Sequence, residues 1–167
     1  MNSHIACASK GANVVCWVVT VSDTRTEQTD ITGKFTQEQL RAHGHHVALY
    51  QIIKNDTNQI ISIAERFRDD PHAHVAIFLG GTGLSSKDRT ARTLRKLYDE
   101  EIMGFGELFR MLSYHEVGPY ALLSRASAGV INQKLVFSLP GSENAVRLAI
   151  EKLIVPILGH AVEQLRK

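Results

Sequence analysis

The amino-acid sequence predicts an α/β fold built on a mostly parallel central sheet with a β-hairpin portion. Two observations carry that prediction. Apolar, β-branched runs alternate with helical patterns through the first half of the chain in the order β-α-β-α-β, the signature of a parallel sheet with crossover helices. Later, two apolar runs, Gly129-Val-Ile131 and Lys134–Leu139, flank Asn132-Gln133, which reads as a hairpin turn. With 167 residues, of which 44% are apolar, one domain over residues 13–167 has material for a real core. Residues 1–12 read as a flexible N-terminal arm.

Asn13–Val21 is almost continuously apolar and rich in valine, which fits a strand buried on both faces. Trp17 and Cys16 belong to its core. The strand stops at the polar loop Ser22-Asp23-Thr24-Arg25. Asp30 is placed to cap a helix containing Phe35, Leu40 and Ala42. Gly33 in its first turn costs helix stability, so close packing or a ligand should account for it. Gly44 ends that helix in a left-handed conformation. His46–Ile53 is the second strand, closed by Asn55-Asp56. Asp56 with Gln59 resembles a capping pair for a helix whose apolar face is Ile60, Ile61, Ile63, Ala64 and Phe67. Asp69-Asp70-Pro71 stops it.

His74–Leu79 is the third strand, and it runs into Gly80-Gly81-Thr82-Gly83. Right-handed crossovers bring the ends of all three strands to one rim, the edge where open α/β sheets bind ligands. Downstream, Asp88–Leu97 is expected to be helical, with Leu94 and Leu97 inward. Met103–Ser113 is a second helix, with Phe105, Leu108, Phe109 and Leu112 at helical spacing; Gly104 and Gly106 suggest close approach at its start. Ala121–Ala128 is a mixed segment. Pro140-Gly141-Ser142 is a second glycine turn. Ser142 is placed to cap a long helix with the stripe Ala145, Leu148, Ala149, Leu153, Ile157 and Leu158, and Pro156 should kink or split it.

A net charge of +2 without like-charge blocks argues against nucleic acid and membrane surfaces as partners. Two cysteines suit a reducing cytoplasm, and no run approaches the ~20 apolar residues of a membrane span. Met1–Lys10 does not read as a secretion signal. His43, His45 and His46 cluster at a helix end, where exposure is the default.

The rim loops carry the candidate chemistry. A strand running into glycines lets backbone approach a ligand, and exposed N–H groups at a helix start favour anions. Gly80–Gly83 is therefore a phosphate cradle or an ordinary tight turn. Asp56 and Asp88 are Mg²⁺ ligands or helix caps; two carboxylates suffice for Mg²⁺ shared with substrate phosphates. Arg125 and Lys87 are phosphate contacts or solvated cations. Pro140–Ser142 is a second anion-binding turn or a cap alone.

These motifs resemble those of the MoaB/MogA family of molybdenum cofactor biosynthesis proteins, which has eukaryotic relatives in the G domain of gephyrin and in a plant counterpart. The resemblance rests on Val21-Ser-Asp23, Asp30 with Gly33, Asp56, Gly80-Gly-Thr-Gly83, Asp88 with Thr90, Gly104-Phe-Gly-Glu-Leu-Phe-Arg110 with Ser113, Ser124-Arg-Ala126 with Ala128-Gly129, and Pro140-Gly-Ser142. They span roughly residues 14 to 160. The resemblance implies a three-layer α/β/α sandwich that assembles as a homo-oligomer, trimer or hexamer. It implies binding of molybdopterin, a pterin with a dithiolene and a terminal phosphate. It further implies Mg-ATP-dependent adenylylation of that phosphate with release of pyrophosphate.

On this basis Asp56 and Asp88 are the expected catalytic residues and Mg²⁺ ligands. Substrate or nucleotide contacts are expected from Ser22, Asp23, Asp30, Gly33, Gly80, Gly81, Thr82, Gly83, Glu107, Ser113, Ser124, Arg125, Pro140, Gly141 and Ser142. Other enzymes of the pathway are expected partners. The alternative is a non-catalytic molybdopterin-binding or assembly protein of the same pathway. Four positions depart from the family pattern. Phe78-Leu79 replaces Thr-Thr, Lys87 replaces arginine, and Glu143 replaces proline after Pro140–Ser142.

Overall fold

The structure is a computed structural model that describes residues 13–167; the expected N-terminal arm lies outside the described residues. In chain order the elements are β1 (Val15–Val21), α1 (Ile31–Ala42), β2 (His46–Ile53), α2 (Thr57–Asp69), β3 (Val75–Leu79), α3 (Thr90–Arg95), β4 (Glu100–Glu101) and α4 (Met103–Val117). A 3₁₀ segment (Gly118–Leu123) leads to β5 (Ser127–Ile131) and β6 (Lys134–Leu139). Then come α5 (Glu143–Ala149), a π-helical turn (Ile150–Ile154) and α6 (Leu158–Leu165).

The strands form one six-stranded sheet in the order β2-β1-β3-β6-β5-β4. β2, β1, β3 and β6 are mutually parallel, while β5 and β4 add antiparallel. Side chains alternate between the two faces, as strand geometry requires. Cys16, Val18, Ile77 and Leu79 meet the core formed with Leu40, Phe105, Phe109 and Leu158. Trp17, Val19, Ala76 and Phe78 meet Ile60, Phe67 and Leu94 on the other side. The result is the expected three-layer sandwich, with α1, α4, α5 and α6 on one face and α2 and α3 on the other.

The hairpin forms as expected. Asn132 (φ 48°) and Gln133 (φ 59°) both take positive φ, as a type I′ turn demands. Four details differ from expectation. β4 is two glutamates long and too short and charged to be read, yet it pairs with Val130 and Gly129 of β5. α3 starts later than Asp88, because Asp88 closes a turn with Ser85: its N–H donates to the Ser85 carbonyl at 3.0 Å, and its Oδ2 accepts the Ser85 N–H at 3.1 Å. α4 continues past Ser113 to Val117. Pro156 does split the last helix, but a π-helical turn comes first, with the Val155 N–H reaching the Ile150 carbonyl at 3.0 Å. That wider turn shifts the buried stripe onto Ile150 and Ile154 and leaves Ile157 exposed.

Beneath the rim, Asp30 is fully buried. Its Oδ2 accepts from Thr20 Oγ1 (2.5 Å) and Tyr50 Oη (2.7 Å). Its Oδ1 accepts from the Gly33 N–H (3.1 Å), which caps α1, and from Thr32 Oγ1 (3.1 Å). The Arg25 guanidinium lies 3.4 Å from Oδ1. Gly33 is explained here by packing, since a Cβ there would stand 2.2 Å from Asp30 Oδ2 and 2.8 Å from the Tyr50 ring.

Burial alone would raise the Asp30 pKa. The hydrogen bonds from Thr20, Tyr50, Gly33 and Thr32 outweigh it and hold the carboxyl below its usual value of 3.8. A depressed folded-state pKa contributes stability above the unfolded-state value, and that contribution is lost as pH falls through the folded-state value. Asp30→Asn should therefore cost about 1.5–3 kcal/mol at pH 7, measured by urea unfolding. The difference between wild type and variant should shrink below pH ~4; an unchanged difference at low pH would refute the role of the charge.

Candidate functional site

The C-terminal ends of β1, β2, β3 and β6 form one rim. After β1, the Ser22 N–H continues the sheet to the Ile53 carbonyl at 2.9 Å. Ser22 Oγ accepts the backbone N–H groups of Arg25 and Thr24, at 3.1 and 3.3 Å. Asp23 Oδ1 accepts the Asn55 N–H at 3.0 Å, and Lys54 Nζ donates to the Asp23 carbonyl at 2.9 Å. Ser22 and Asp23 thus lock their turn to the loop after β2. Asp56 is the N-cap of α2 through Oδ1 to the Gln59 N–H, 3.0 Å. Gln59 does not return to Asp56 as a capping box would; its side-chain carbonyl accepts the Lys54 N–H at 3.0 Å.

The glycine loop after β3 is forced into shape. Gly80 has φ +109°, and a Cβ on it would stand 2.4 Å from the Val21 carbonyl oxygen. Gly81 has φ +71°, and a Cβ there would stand 2.3 Å from Thr90 Oγ1. Three of the loop's carbonyls are taken. Gly81 O accepts from the Ala91 N–H (3.4 Å) and Thr82 O from the Arg125 N–H (3.0 Å). The Arg125 guanidinium donates to the Gly83 and Asp88 carbonyls. In contrast, the N–H groups of Gly81, Thr82 and Gly83 have no protein acceptor among the described residues. Such a loop presents donors and hides acceptors, which suits an anion. Lys87 and Arg89, just downstream, are exposed cations.

The second glycine turn lies against the first. A Cβ on Gly141 would be 3.4 Å from the Gly80 Cα. Arg25 fixes this contact: its Nη2 donates to the Gly141 carbonyl at 2.6 Å, and its Nη1 to Thr32 Oγ1 at 2.6 Å beside Asp30. Ser142 stands at the N-cap position of α5 but makes no side-chain capping bond, so the expected cap is positional only. Beside this turn opens a cleft of about 510 Å³ between α4 and α5. Ser113, Ser124, Pro140 and Ser142, singled out in the sequence, all line it.

Sequence reasoning missed Glu116, Tyr120 and Asn144, which also line the cleft. Phe109, Ser113, Glu116 and Val117 recur at helical spacing on one face of α4, a signal that was available. Glu107 is exposed and does not line the cleft. Asp30 and Gly33 lie beneath the rim and support it. Asp88 is not a helix cap. Gly106 faces Arg110 and the Ala126 carbonyl, whereas a Cβ on Gly104 would meet nothing within 4 Å. His45, expected to be exposed, is half-buried. Burial, reinforced by the His43 charge, lowers its pKa below the usual 6.5.

Comparison with known proteins decides the family. A family model described as a probable molybdopterin binding domain matches residues 17–160. The chain belongs to the MoaB/MogA family of molybdenum cofactor biosynthesis proteins. It is 47% identical to molybdenum cofactor biosynthesis protein B of Bacillus cereus over 155 residues, covering 92% of each chain. A crystal structure of molybdenum cofactor biosynthesis protein B superposes with a TM-score of 0.90 at 46% identity, covering 93% of this chain and 98% of that one. The tungsten cofactor synthesizing protein MoaB of Pyrococcus furiosus superposes at 0.81 with 36% identity, over 93% and 98% of the two chains.

Against the family pattern, Phe78 and Leu79 are fully buried strand core, so no hydroxyl is missing from the rim. Glu143 occupies the first turn of α5, where a carboxylate is favoured by the N-terminal N–H groups. Gly80→Ala should destabilise the fold by about 1–3 kcal/mol from backbone conformation alone, with the Val21 clash adding to it. Urea unfolding measures this, and a loss under ~0.5 kcal/mol would mean the loop relaxes freely.

Proposed function

We propose that this protein acts in molybdenum cofactor biosynthesis, binding molybdopterin and adenylylating its terminal phosphate with ATP. The supporting observation is the pair of abutting glycine turns. They lie at the ends of adjacent parallel strands, and the first offers three consecutive N–H groups without a protein acceptor among the described residues. Preorganised donors of this kind stabilise phosphate charge without reorganisation. The relatives' names point to the same pathway.

In the proposed reaction an oxygen of the molybdopterin phosphate attacks the α-phosphorus of ATP. A new P–O bond forms, the bond to the bridging oxygen of the β-phosphate breaks, and pyrophosphate leaves. Positioning and charge stabilisation carry most of such catalysis. The glycine turns would bind phosphate oxygens through backbone N–H groups. Lys87 and Arg89 would attract the polyphosphate.

Asp56 and Asp88 are the residues that would hold the Mg²⁺ of this reaction. Each commits one carboxylate oxygen to a backbone N–H and keeps the other free of protein partners among the described residues. Mg²⁺ takes one or two carboxylates together with phosphate oxygens and water. When bound, it would neutralise charge on the phosphates.

Purified protein with molybdopterin, ATP and Mg²⁺ should yield adenylylated molybdopterin and one pyrophosphate per turnover. Molybdopterin binding without pyrophosphate release would point to carriage or assembly instead. Asp88→Asn keeps an acceptor for the Ser85 N–H, so it should reduce turnover at least ~100-fold with an unfolding midpoint close to wild type. Equal losses in both would make Asp88 structural.

The same reading includes a homo-oligomer. Met103, Leu108, Met111 and Tyr114 on α4, with Tyr120 and Leu122 beyond it, are exposed, Leu122 at 79%. Neighbouring large apolar side chains of this kind mark a protein interface. Sedimentation should show a trimer or hexamer, and Met111→Glu should lower the association state. A wild type that stays monomeric at assay concentrations would remove this part of the proposal.

A further inference from the structure

Glu116 is an exposed carboxylate with no ion-pair or hydrogen-bond partner among the described residues. It sits in the last turn of α4, where the helix's free carbonyls disfavour a carboxylate. It makes no ion pair among the described residues, and it lines the cleft between α4 and α5. One turn earlier on the same helix face, Ser113 is only 7% exposed and lines the same cleft. Its hydroxyl makes no hydrogen bond among the described residues, so it is a buried polar group that opens onto the cavity. Phe109, Tyr120 and Ala121 supply an apolar, partly aromatic wall.

The charges around the site are divided. The cleft is lined by Glu116 and Glu143 and by no lysine or arginine among the described residues. The exposed cations Lys87 and Arg89 follow the glycine loop instead. A phosphate placed in the cleft would meet two carboxylates and no cation to offset them. A flat heterocycle with N–H donors along one edge would meet an apolar wall and an acceptor.

We propose that the cleft takes the pterin ring by its donor edge, with the Glu116 carboxylate accepting from the 2-amino group and from N3–H. Two parallel N–H bonds onto one carboxylate are the strong, orienting arrangement for this group. The assignment rests on the molybdopterin reading above and gives it a direction. The ring lies in the cleft and the phosphate arm points to the glycine turns, which meet the cleft at Pro140 and Ser142. A cleft of about 510 Å³ is within the range of small-molecule sites.

The test uses 6-hydroxymethylpterin and 6-hydroxymethyllumazine, followed by their own fluorescence anisotropy. The lumazine carries a carbonyl in place of the 2-amino group. Wild type should prefer the pterin by about tenfold or more, as a site built for a donor rejects the analogue lacking it. In Glu116→Gln the amide oxygen still accepts from N3–H, while its NH₂ faces the new carbonyl. The variant should therefore bind the pterin about tenfold more weakly and the lumazine more tightly than wild type does. Equal weakening of both ligands would signal a general change in charge or folding and would overturn the assignment. An unmoved preference, with the pterin still bound, would overturn the orientation and leave the molybdopterin reading standing. A wild type that binds neither the pterin nor molybdopterin would overturn both.

Discussion

A buried carboxylate governs the ligand edge of this sheet. Asp30 has no solvent exposure, and an unpaired charge there would be prohibitively costly. The fold meets that demand with five donors drawn from β1, β2, the loop after β1 and the first turn of α1. Each partner is thereby placed. Tyr50 ties β2 to α1, Thr20 ties β1 to it, and Arg25 is held with its second nitrogen directed at Gly141. Through Arg25, the carboxylate buried under the first strand helps fix a turn that lies 116 residues beyond Arg25 in sequence. The two glycine turns can then pack backbone to backbone, with Gly141 against the Gly80 Cα. A side chain at Gly80 would strike the Val21 carbonyl oxygen beneath the loop, at 2.4 Å from its Cβ.

The loop after β3 shows how backbone groups can be sorted. Arg125 spends its guanidinium on carbonyl oxygens, although a cation beside a phosphate loop invites assignment as a direct ligand contact. By taking the acceptors, it turns the remaining N–H groups toward the open side. Its effect on an anion is therefore largely indirect, through loop shape, whereas Lys87 and Arg89 remain available for long-range attraction. Asp88 works in the same manner on the protein side, closing the turn to Ser85 with one oxygen and leaving the other uncommitted.

Much of this was legible in the sequence because it follows from periodicity and turn chemistry. The β-α-β-α-β order, the Asn132-Gln133 hairpin, the Gly44 stop and the break at Pro156 each have a local cause. The convergence of Ser22, Asp56 and Gly80 on one rim follows from crossover handedness. What escaped depends either on partners far apart in sequence or on local contacts and helix ends that the hydrophobic pattern does not encode. β4 exists only because β5 offers an edge to Glu100 and Glu101. The late start of α3 depends on a turn closed by one side chain. Arg25 stood in the sequence only as the end of a polar loop, and its role depends on Asp30 and Gly141 placed around it. The cleft needed α4 to run on to Val117, and helix ends are the least predictable part of a pattern.

Two side-chain groups without partners lie beside the glycine loop. Among the described residues, the buried side-chain atoms without partners include Thr90 Oγ1 and Arg125 Nε. Both belong to residues that touch the glycine loop, Thr90 below Gly81 and Arg125 along Thr82 and Gly83. Each unpaired group costs on the order of 1–3 kcal/mol, a large sum against marginal stability. A hydroxyl under a positive-φ glycine, next to N–H groups without acceptors among the described residues, gives this edge a set of donors suited to an anion.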